Sequence, residues 1–303
     1  MDAQAMELSQ TLQLGSKSLA SRRKLVQRIG FSIIFLSLLI SIFFLFVIVI
    51  FIAIRGAGVI NWEFLTAMPR KSMTAGGILP AIIGTFYLSV GAVIFALPLG
   101  ILAAIYLNEY AGENVLVRII KMGINNLAGV PSIVFGLFGL AIFVKFFGFG
   151  VSILSGALTL AIMILPVIIS TTVEALRSIP DSFREAGYGV GATKWQIIKG
   201  IILPAALPGI LTGTILGIGR AAGETAPILF TAATFFSRKL PGSIMDEALA
   251  LPYHIYALMT EGTHPESQVP IAYGTALVLL ILVLGLDLVA IVIRTRSRKR
   301  KFW

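Results

Sequence analysis

The sequence predicts an all-α, polytopic membrane protein with six transmembrane helices. Its 303 residues have a mean hydropathy of +0.95, and 57% of them are apolar while only 13% are charged. A soluble domain is closer to half apolar and a quarter charged. The stretch 29–54 holds 26 residues without a charge, which is long enough to cross a bilayer. Because the chain has no cysteine, disulfide frameworks, thiol catalysis and cysteine-type zinc sites are excluded.

Apolar stretches of membrane-spanning length follow one another along the chain. A cleaved signal peptide has a shorter apolar core and a small-residue cleavage site, so the first stretch is interpreted as an anchor. The six predicted spans cover 29–54, about 78–107, about 119–147, about 153–173, about 208–236 and about 271–293.

An even number of spans places both termini on one side of the membrane, and the basic residues indicate which side. Seventeen Lys and Arg residues lie on the side of the termini and of the loop at about 176–207, against six on the other side. We therefore expect both termini and this loop in the cytoplasm. The expected divisions are a cytoplasmic tail (1–27), a first helix with an outward loop (28–71), a core transmembrane domain (72–293) and a basic cytoplasmic tail (294–303). The basic tail is interpreted as a stop-transfer flank rather than a nucleic-acid-binding segment.

The longest polar interruption in the second half of the chain, residues 184–207, is accompanied by two helix-start signals. Ser182 with Glu185, and Thr193 with Gln196, both fit the S/T-x-x-E/Q capping box. In a capping box the side chain of each residue bonds to the backbone amide of the other. The pattern predicts two short helices at the membrane surface.

Three glycines lie between these two signals. Gly187, Gly189 and Gly191 tolerate the positive φ at which a helix ends and turns. Proline restricts the residue before it, so a new membrane helix is expected to begin near Pro208. The predicted shape is a pair of short helices with a glycine elbow, presented as a compact projection to a partner.

The fifth predicted span combines small residues with charges. Gly209, Gly213 and Gly217 recur every fourth residue, so they share one helix face and admit a neighbouring helix closely. Arg220 and Glu224 follow near mid-membrane, where an arginine costs about 2.5–3.5 kcal/mol on insertion scales. Two interpretations stay open. The pair either neutralises itself across one helical turn or lines a pathway for an anion.

Pro227 predicts a kink or break beside this pair, because its ring clashes with the carbonyl of Gly223. A broken membrane helix exposes backbone groups to a cavity. Asn126, Pro131 and Ser132 mark a similar irregularity at the start of the third span. The polar side chains there serve either a polar ligand or a hydrogen bond between helices.

The outward segment 237–270 holds both histidines of the chain. Neither His254 nor His264 has an acidic or histidine partner at metal-ligand spacing, so both are interpreted as ordinary loop residues. The stretch from Met245 to Met259 is predicted to form a short surface helix on which an extracytoplasmic partner could land.

No catalytic machinery is recognisable in the sequence. A phosphate-cradling loop of the form G-x-x-x-x-G-K-[S/T] is absent, since the chain contains no Gly-Lys dipeptide. The chain is therefore expected to be non-enzymatic, without a cofactor or metal, and any energy source is expected on another polypeptide.

The polar loop also carries a sequence resemblance. Glu185-Ala186-Gly187, then Gly191 after three residues, then Ile201-Ile202-Leu203-Pro204 after nine more, resembles the EAA loop of type I ABC-importer permeases. Gly187 stands where the family pattern has its second alanine. In that family the loop forms the coupling helix that docks into the ATPase subunit. The resemblance implies this coupling role for Glu185, Ala186, Gly187, Gly191, Ile201, Leu203 and Pro204.

Three further stretches, 76–85, 126–136 and 219–227, resemble the PstA family of permease subunits of bacterial phosphate importers. The resemblance covers roughly 72–293 and implies a type I importer permease fold in the inner membrane. It implies as partners a sister permease (PstC-like), two copies of an ATPase (PstB-like) and an extracytoplasmic phosphate-binding protein (PstS-like). Arginine suits phosphate because its guanidinium binds the anion bidentately. The residues expected to line the substrate pathway are Arg220, Glu224, Thr225, Asn126 and Ser132.

Two alternative functions stay open. A permease for another oxyanion or for a phosphonate would also suit an arginine in the pathway. A membrane scaffold subunit would have no substrate pathway, and it would lack both a separate ATPase and a binding protein as partners.

Overall fold

The computed structural model describes residues 2–71, 73–112, 114–234 and 240–299. The chain divides into two compact units, 1–54 and 55–303. The first unit consists of helix α1 (Asp2–Gly56), which ends two residues into the second unit. From Ile29 onward the large apolar side chains of α1 are mostly exposed, as expected of a helix whose solvent is lipid.

Most of the second unit is helical, and its described residues also contain a two-stranded antiparallel hairpin in which Pro69 pairs with Gly76. A 3₁₀ turn at Ala57–Val59 follows α1, and π-helical turns occupy Tyr106–Tyr110, Leu140–Phe146 and Ile198–Ile202. The remaining elements in chain order are α2 (Trp62–Thr66), β1 (Pro69–Arg70), β2 (Ala75–Gly76), α3 (Leu79–Ile105), α4 (Val115–Leu127), α5 (Ser132–Gly139), α6 (Ile153–Arg177), α7 (Ser182–Gly189), α8 (Lys194–Ile197), α9 (Leu203–Gly223), α10 (Ala226–Leu229), α11 (Leu251–Thr260) and α12 (Pro265–Lys299).

Five helical runs among the described residues are long and apolar enough to cross a membrane, and a bent pair of helices brings the number to six if the pair is counted as one span. The third predicted span is this bent pair, since α4 and α5 with its π turn meet at 104°. Pro131 lies at the break in an extended conformation, where its ring disfavours a continuing helix. The other five runs are Gln27–Val59, Leu79–Tyr110, Ile153–Arg177, Lys194–Gly223 and Pro265–Arg296.

The prediction that the fifth span begins near Pro208 and continues to residue 236 is wrong at both ends. The helical run starts at Lys194, passes through Pro204 and Pro208, and stops at Gly223. A proline bends a membrane helix without ending it when neighbouring helices hold both halves, and α6 packs along this run. Residues 235–236 of the predicted span lie outside the described residues.

Helix α6 is the most deeply buried of these spans and packs against α3, α5 and α9. Its side chains Leu160, Ile164 and Ile168 are fully buried in the main apolar core. A second apolar cluster surrounds the other end of α6, where Leu176 and Ile179 meet Ile198. These two clusters determine the positions of the segments that carry the candidate site.

The predicted glycine face of α9 lies against α6. A Cβ atom built on Gly209 would meet the side chain of Ala175, and one on Gly213 would meet the hydroxyl of Thr171. At Gly217 the built Cβ lies 3.5 Å from Ile164 Cδ1. The prediction that these glycines admit a neighbouring helix closely is confirmed, and such close approach allows the van der Waals packing that holds membrane helices together.

The prediction that His254 is an ordinary loop residue is wrong. His254 lies in α11 and is only 1% exposed, because α11 packs against α3 and α12. Neither ring nitrogen has a hydrogen-bond partner among the described residues, and the ring borders a small cavity with Phe64, Met73 and Ile271. Burial lowers the pKa of His254 to about 4.

The surface helix predicted at 245–259 is therefore shorter, since the observed helix is α11 (Leu251–Thr260). It is mostly buried, because its apolar side chains pack against α3 and α12. His264, in contrast, is exposed in the turn before α12, where Thr263 Oγ1 lies 2.8 Å from His264 Nδ1.

The low pKa of His254 predicts that the free energy of unfolding decreases as the pH falls from about 6.5 to about 4. In this range the unfolded histidine binds a proton that the folded one does not, so acid favours the unfolded state. The loss amounts to about 3 kcal/mol at most. Thermal unfolding of the purified protein in detergent at pH 7.5 and at pH 5 measures it.

His254→Phe should remove this part of the pH dependence, whereas His264→Gln serves as the matched control and should retain it. An unchanged pH dependence in His254→Phe would contradict the prediction.

Candidate functional site

The polar loop begins with a turn at Pro180 rather than with the predicted capping box of Ser182 and Glu185. Asp181 is the N-cap residue of α7 and already has helical dihedral angles, so Ser182 is the first residue inside the helix. The backbone amide of Glu185 donates to the carbonyl oxygen of Asp181 at 3.0 Å. The Ser182–Glu185 capping box is therefore wrong, because the helix starts one residue before the position that the signal requires.

The second capping box and the glycine elbow are confirmed. Thr193 caps α8, its hydroxyl accepts from the amide of Gln196 at 3.4 Å, and the Gln196 side chain accepts from the Thr193 amide at 2.8 Å. Gly191 has a φ of +76°, whereas α7 continues through Gly187 and Gly189. The elbow thus depends on Gly191 alone, and the expectation of positive φ at the other two glycines is wrong.

Residues of the EAA pattern divide into a buried group and an exposed group. Gly187 is buried, and a Cβ atom built on it would lie 2.7 Å from Ile197 Cγ1, so it admits α8 against α7. Ile201 and Leu203 are partly buried against the second apolar cluster, and Pro204 is exposed. Glu185, Ala186 and Gly191 are also exposed.

Large apolar side chains are exposed on the same loop. Tyr188, Val190 and Trp195 are exposed, and Val190 has an exposed fraction of 83%. These residues surround the elbow at Gly191 and were not singled out from the sequence, although aromatic residues in a short polar loop are a visible signal. Exposed aromatic side chains of this kind are typical of protein interfaces.

An ion pair joins the loop to the end of α3 and was also missed in the sequence. Arg184 donates from Nη2 to Glu109 Oε1 at 2.8 Å and from Nε to Oε2 of the same carboxylate at 3.3 Å. The side chain of Glu109 is only 6% exposed and that of Arg184 is 19% exposed. The two residues are 75 positions apart, so no local spacing could have paired them.

The charged pair of the fifth span lies at a break in the membrane helix. Helix α9 ends at Gly223, Glu224 has an extended backbone, and α10 begins with Pro227 in its first turn. Arg220 Nε lies 3.6 Å from Glu224 Oε1, and the two side chains are 32% and 19% exposed. The predicted break beside the pair is confirmed, and the ion pair has formed across it.

The other predicted pathway residues lie at different distances from this break. Thr225 follows Glu224 directly and is the N-cap residue of α10. Ser132 begins α5, which packs against α10, and a Cβ atom built on Gly136 would lie 2.9 Å from the carbonyl oxygen of Ala226. Asn126 is exposed on α4, beyond the 104° bend, and no hydrogen bond joins it to this group within the described residues.

A carboxylate of the last span approaches the same turn of α9. The oxygens of Asp287 lie 3.5 and 3.6 Å from the position that a Cβ atom of Gly219 would take, next to Arg220 in the chain. Asp287 Oδ1 is buried and has no hydrogen-bond partner among the described residues. The sequence signal was an acidic residue within an otherwise apolar span. No group of His, Asp and Glu side chains that could hold a metal ion occurs in the described part of the chain.

Known proteins resemble this chain over most of its length. The family described as "Binding-protein-dependent transport system inner membrane component" matches residues 96–302. The chain is 37% identical over 255 residues to the phosphate transport system permease protein PstA of Mycobacterium leprae (strain TN), which covers 82% of each protein. It is 35% identical over 240 residues to the probable ABC transporter permease protein YqgI of Bacillus subtilis (strain 168), covering 76% of this chain and 81% of the relative.

A solved structure with a similar fold comes from a bacterial alginate ABC transporter, crystallised in complex with an alginate pentasaccharide-bound periplasmic protein. The match has a TM-score of 0.63 at 17% sequence identity and covers 86% of this chain and 91% of the other. At this identity the likeness concerns the fold alone, and it agrees with the predicted importer-permease fold.

The unpartnered oxygen of Asp287 predicts that Asp287→Asn raises the unfolding temperature of the protein. A buried acceptor without a partner costs about 1–3 kcal/mol, and an amide is cheaper to bury than a carboxylate. Thermal unfolding in detergent measures the change. Asp246→Asn is the matched control and should lower the unfolding temperature, because Asp246 Oδ2 accepts from the amides of Gly242 and Ser243. A lower unfolding temperature in Asp287→Asn would contradict the prediction.

Proposed function

Because the chain belongs to the family of binding-protein-dependent transport system inner membrane components, we propose that it is the permease subunit of an ATP-driven importer of inorganic phosphate. Relatives named as permease proteins of ABC transporters support a transport subunit without enzymatic activity of its own. In this proposal ATP is hydrolysed by separate subunits, and the chain forms the membrane pathway together with a sister permease.

The observation that carries the proposal is the Arg220–Glu224 pair at the break between α9 and α10. A guanidinium within a membrane span is costly unless water or an anionic ligand reaches it. Arg220 is 32% exposed, and none of its N–H groups makes a hydrogen bond among the described residues, so donors remain for an anion. Glu224 then keeps the guanidinium from holding the anion too tightly. Thr225, Ser132 and Asn126 are proposed as further polar groups of the pathway.

The loop 182–204 is proposed as the coupling element that docks on the ATPase. Its exposed residues Tyr188, Val190 and Trp195 support this role, since an apolar surface on a polar loop needs a partner to cover it. Glu185, Ala186 and Gly191 lie on the exposed part of the same loop, whereas Gly187, Ile201 and Leu203 support it from within.

The proposed complex contains this chain, a PstC-like sister permease, two PstB-like ATPase copies and a PstS-like phosphate-binding protein. The excess of basic residues around the termini and the coupling loop supports a cytoplasmic location for all three. The proposed core domain is 72–293, between the first span and the basic tail.

Substitutions at the charged pair test the pathway. Arg220→Gln should lower phosphate uptake by about ten- to a hundred-fold, since a hydrogen bond to a charged group contributes about 1.5–3 kcal/mol. Arg220→Lys should also transport poorly, because a point charge does not reproduce the forked donors of the guanidinium. Uptake of labelled phosphate by the complex reconstituted in vesicles measures this, with sulfate and a phosphonate as competing anions.

The double substitution Arg220→Gln with Glu224→Gln separates the two interpretations of the pair. If the residues only neutralise each other, the double variant regains the uptake that each single variant loses. The pathway interpretation expects no recovery, while assembly with the partner subunits persists. A double variant that transports at the normal rate would make Arg220 a structural residue.

The elbow at Gly191 generates a prediction about coupling. Valine at a φ of +76° costs about 1–3 kcal/mol of backbone strain, so Gly191→Val should distort the docking surface. We expect a membrane-inserted complex that hydrolyses ATP but imports phosphate several-fold more slowly. Gly112→Val is the matched control, because Gly112 is exposed, has no positive φ and has open space around its Cβ position. Normal uptake by Gly191→Val would contradict the proposed role of the elbow.

A further inference from the structure

Arg184 connects three segments of the chain through one side chain. Besides its two bonds to Glu109, its Nη2 donates to the carbonyl oxygen of Leu176 at 3.1 Å and its Nη1 donates to that of Ile179 at 3.0 Å. Nη1 also reaches Asp181 Oδ1 at 3.1 Å. The end of α3, the end of α6 and the start of α7 therefore meet at this guanidinium.

These bonds use every nitrogen of the guanidinium in a largely buried position. Leu176 belongs to the last turn of α6, and Ile179 lies two residues beyond the end of this helix. Carbonyl oxygens at the C-terminal end of a helix lack helical donors, so a cation is favourable there. The hydrogen bond to Glu109 raises the pKa of Arg184 above its usual value, although burial opposes this change. The guanidinium is thus held as a cation at one place.

The π turn at the end of α3 positions the carboxylate that receives it. Tyr106–Tyr110 contains Glu109, and Asn108 Nδ2 donates to Glu109 Oε1 at 2.8 Å. A π turn holds an extra residue compared with an α-helical turn, so the side chains after it face a different direction. The Glu109 carboxylate lies under the polar loop and is nearly sealed from solvent.

The neighbouring residue contacts the other half of the same loop. Lys194, the first residue of α8, places its Nζ 4.9 Å from the ring centroid of Tyr110, within the range of a cation–π interaction. Both short helices of the polar loop therefore contact two consecutive residues of the π turn that follows α3, Glu109 and Tyr110. The first attachment is buried, and the second is at the surface, since Tyr110 is exposed.

We propose that the Glu109–Arg184 ion pair transmits a displacement of the loop 182–204 to α3, and we call this ion pair the latch. The latch stays closed throughout the transport cycle. The inference rests on the proposed function, because it takes the loop to be the docking site of the ATPase. Glu109 and Arg184 are positioning residues, since both lie outside the group of residues proposed to line the anion pathway. Opening the latch would leave the buried Glu109 carboxylate without its counter-charge and with only the Asn108 amide as a donor, which a closed latch avoids.

The first test is Glu109→Gln in the reconstituted complex with all of its partner subunits. The amide keeps the size of the side chain but removes the charge. We expect phosphate uptake to fall about ten-fold while ATP hydrolysis stays within about two-fold, because charge-assisted hydrogen bonds to Arg184 are replaced by weaker ones. Asp181→Asn is the matched control. It removes the solvent-exposed carboxylate on the same arginine and should leave the ratio of uptake to hydrolysis unchanged.

The second test replaces the latch by a covalent link. Since the chain has no cysteine, Glu109→Cys with Arg184→Cys introduces its only two thiols. A short bis-methanethiosulfonate reagent should restore coupled uptake in this double variant, and a reductant should abolish it again. A latch that has to open during the cycle would instead be blocked by the same reagent, and this result would overturn the proposal.

The remaining outcomes separate the two proposals. Normal uptake by Glu109→Gln overturns the latch, and so does a parallel loss of uptake and assembly that the covalent link fails to rescue. Absence of phosphate uptake by the unsubstituted complex overturns the proposed substrate, whereas an unsubstituted complex whose ATPase does not bind the loop 182–204 overturns the basis of the latch. Uptake by the unsubstituted complex and by Glu109→Gln alike overturns the latch alone.

Discussion

The helices of the second unit are arranged around α6, and this arrangement depends on how closely each neighbour can approach it. Lipid is as apolar as the side chains, so no hydrophobic force draws one membrane helix to another. Contact therefore relies on small residues that let backbones meet. Gly209 and Gly213 bring α9 against Ala175 and Thr171, and Gly139 at the end of α5 faces Thr159. A larger side chain at any of these positions would separate the helix from α6.

This packing explains where the charged break is found. The glycines of α9 hold the helix against α6 up to Gly217, and the helix ends six residues later at Gly223. Arg220 and Glu224 thus lie directly beyond the tightly packed part, where side chains are partly exposed. The close contact fixes the helix, and the break leaves the charges accessible.

Three local signals in the sequence predicted local structure correctly, whereas the Ser182–Glu185 capping box and the positive φ at Gly187 and Gly189 failed locally. Tertiary contacts explain the other failures. The capping box of Thr193, the positive φ of Gly191 and the break before Pro227 depend on a few neighbouring residues, and all three are confirmed. The start of α9 and the burial of His254 depend on packing against distant helices. The same holds for the partners of Glu109 and the environment of Asp287, since the residues that decide them are far away in the chain.

The π turns at Tyr106–Tyr110 and Ile198–Ile202 have a mechanical consequence. Each lies where a membrane helix meets the polar loop, one at the end of α3 and one just before α9. Converting a π turn to α geometry shifts the register by one residue, which rotates the adjoining segment by about 100° and advances it by about 1.5 Å. Such a conversion at either turn would therefore rotate α3 or α9 about its own axis relative to the polar loop.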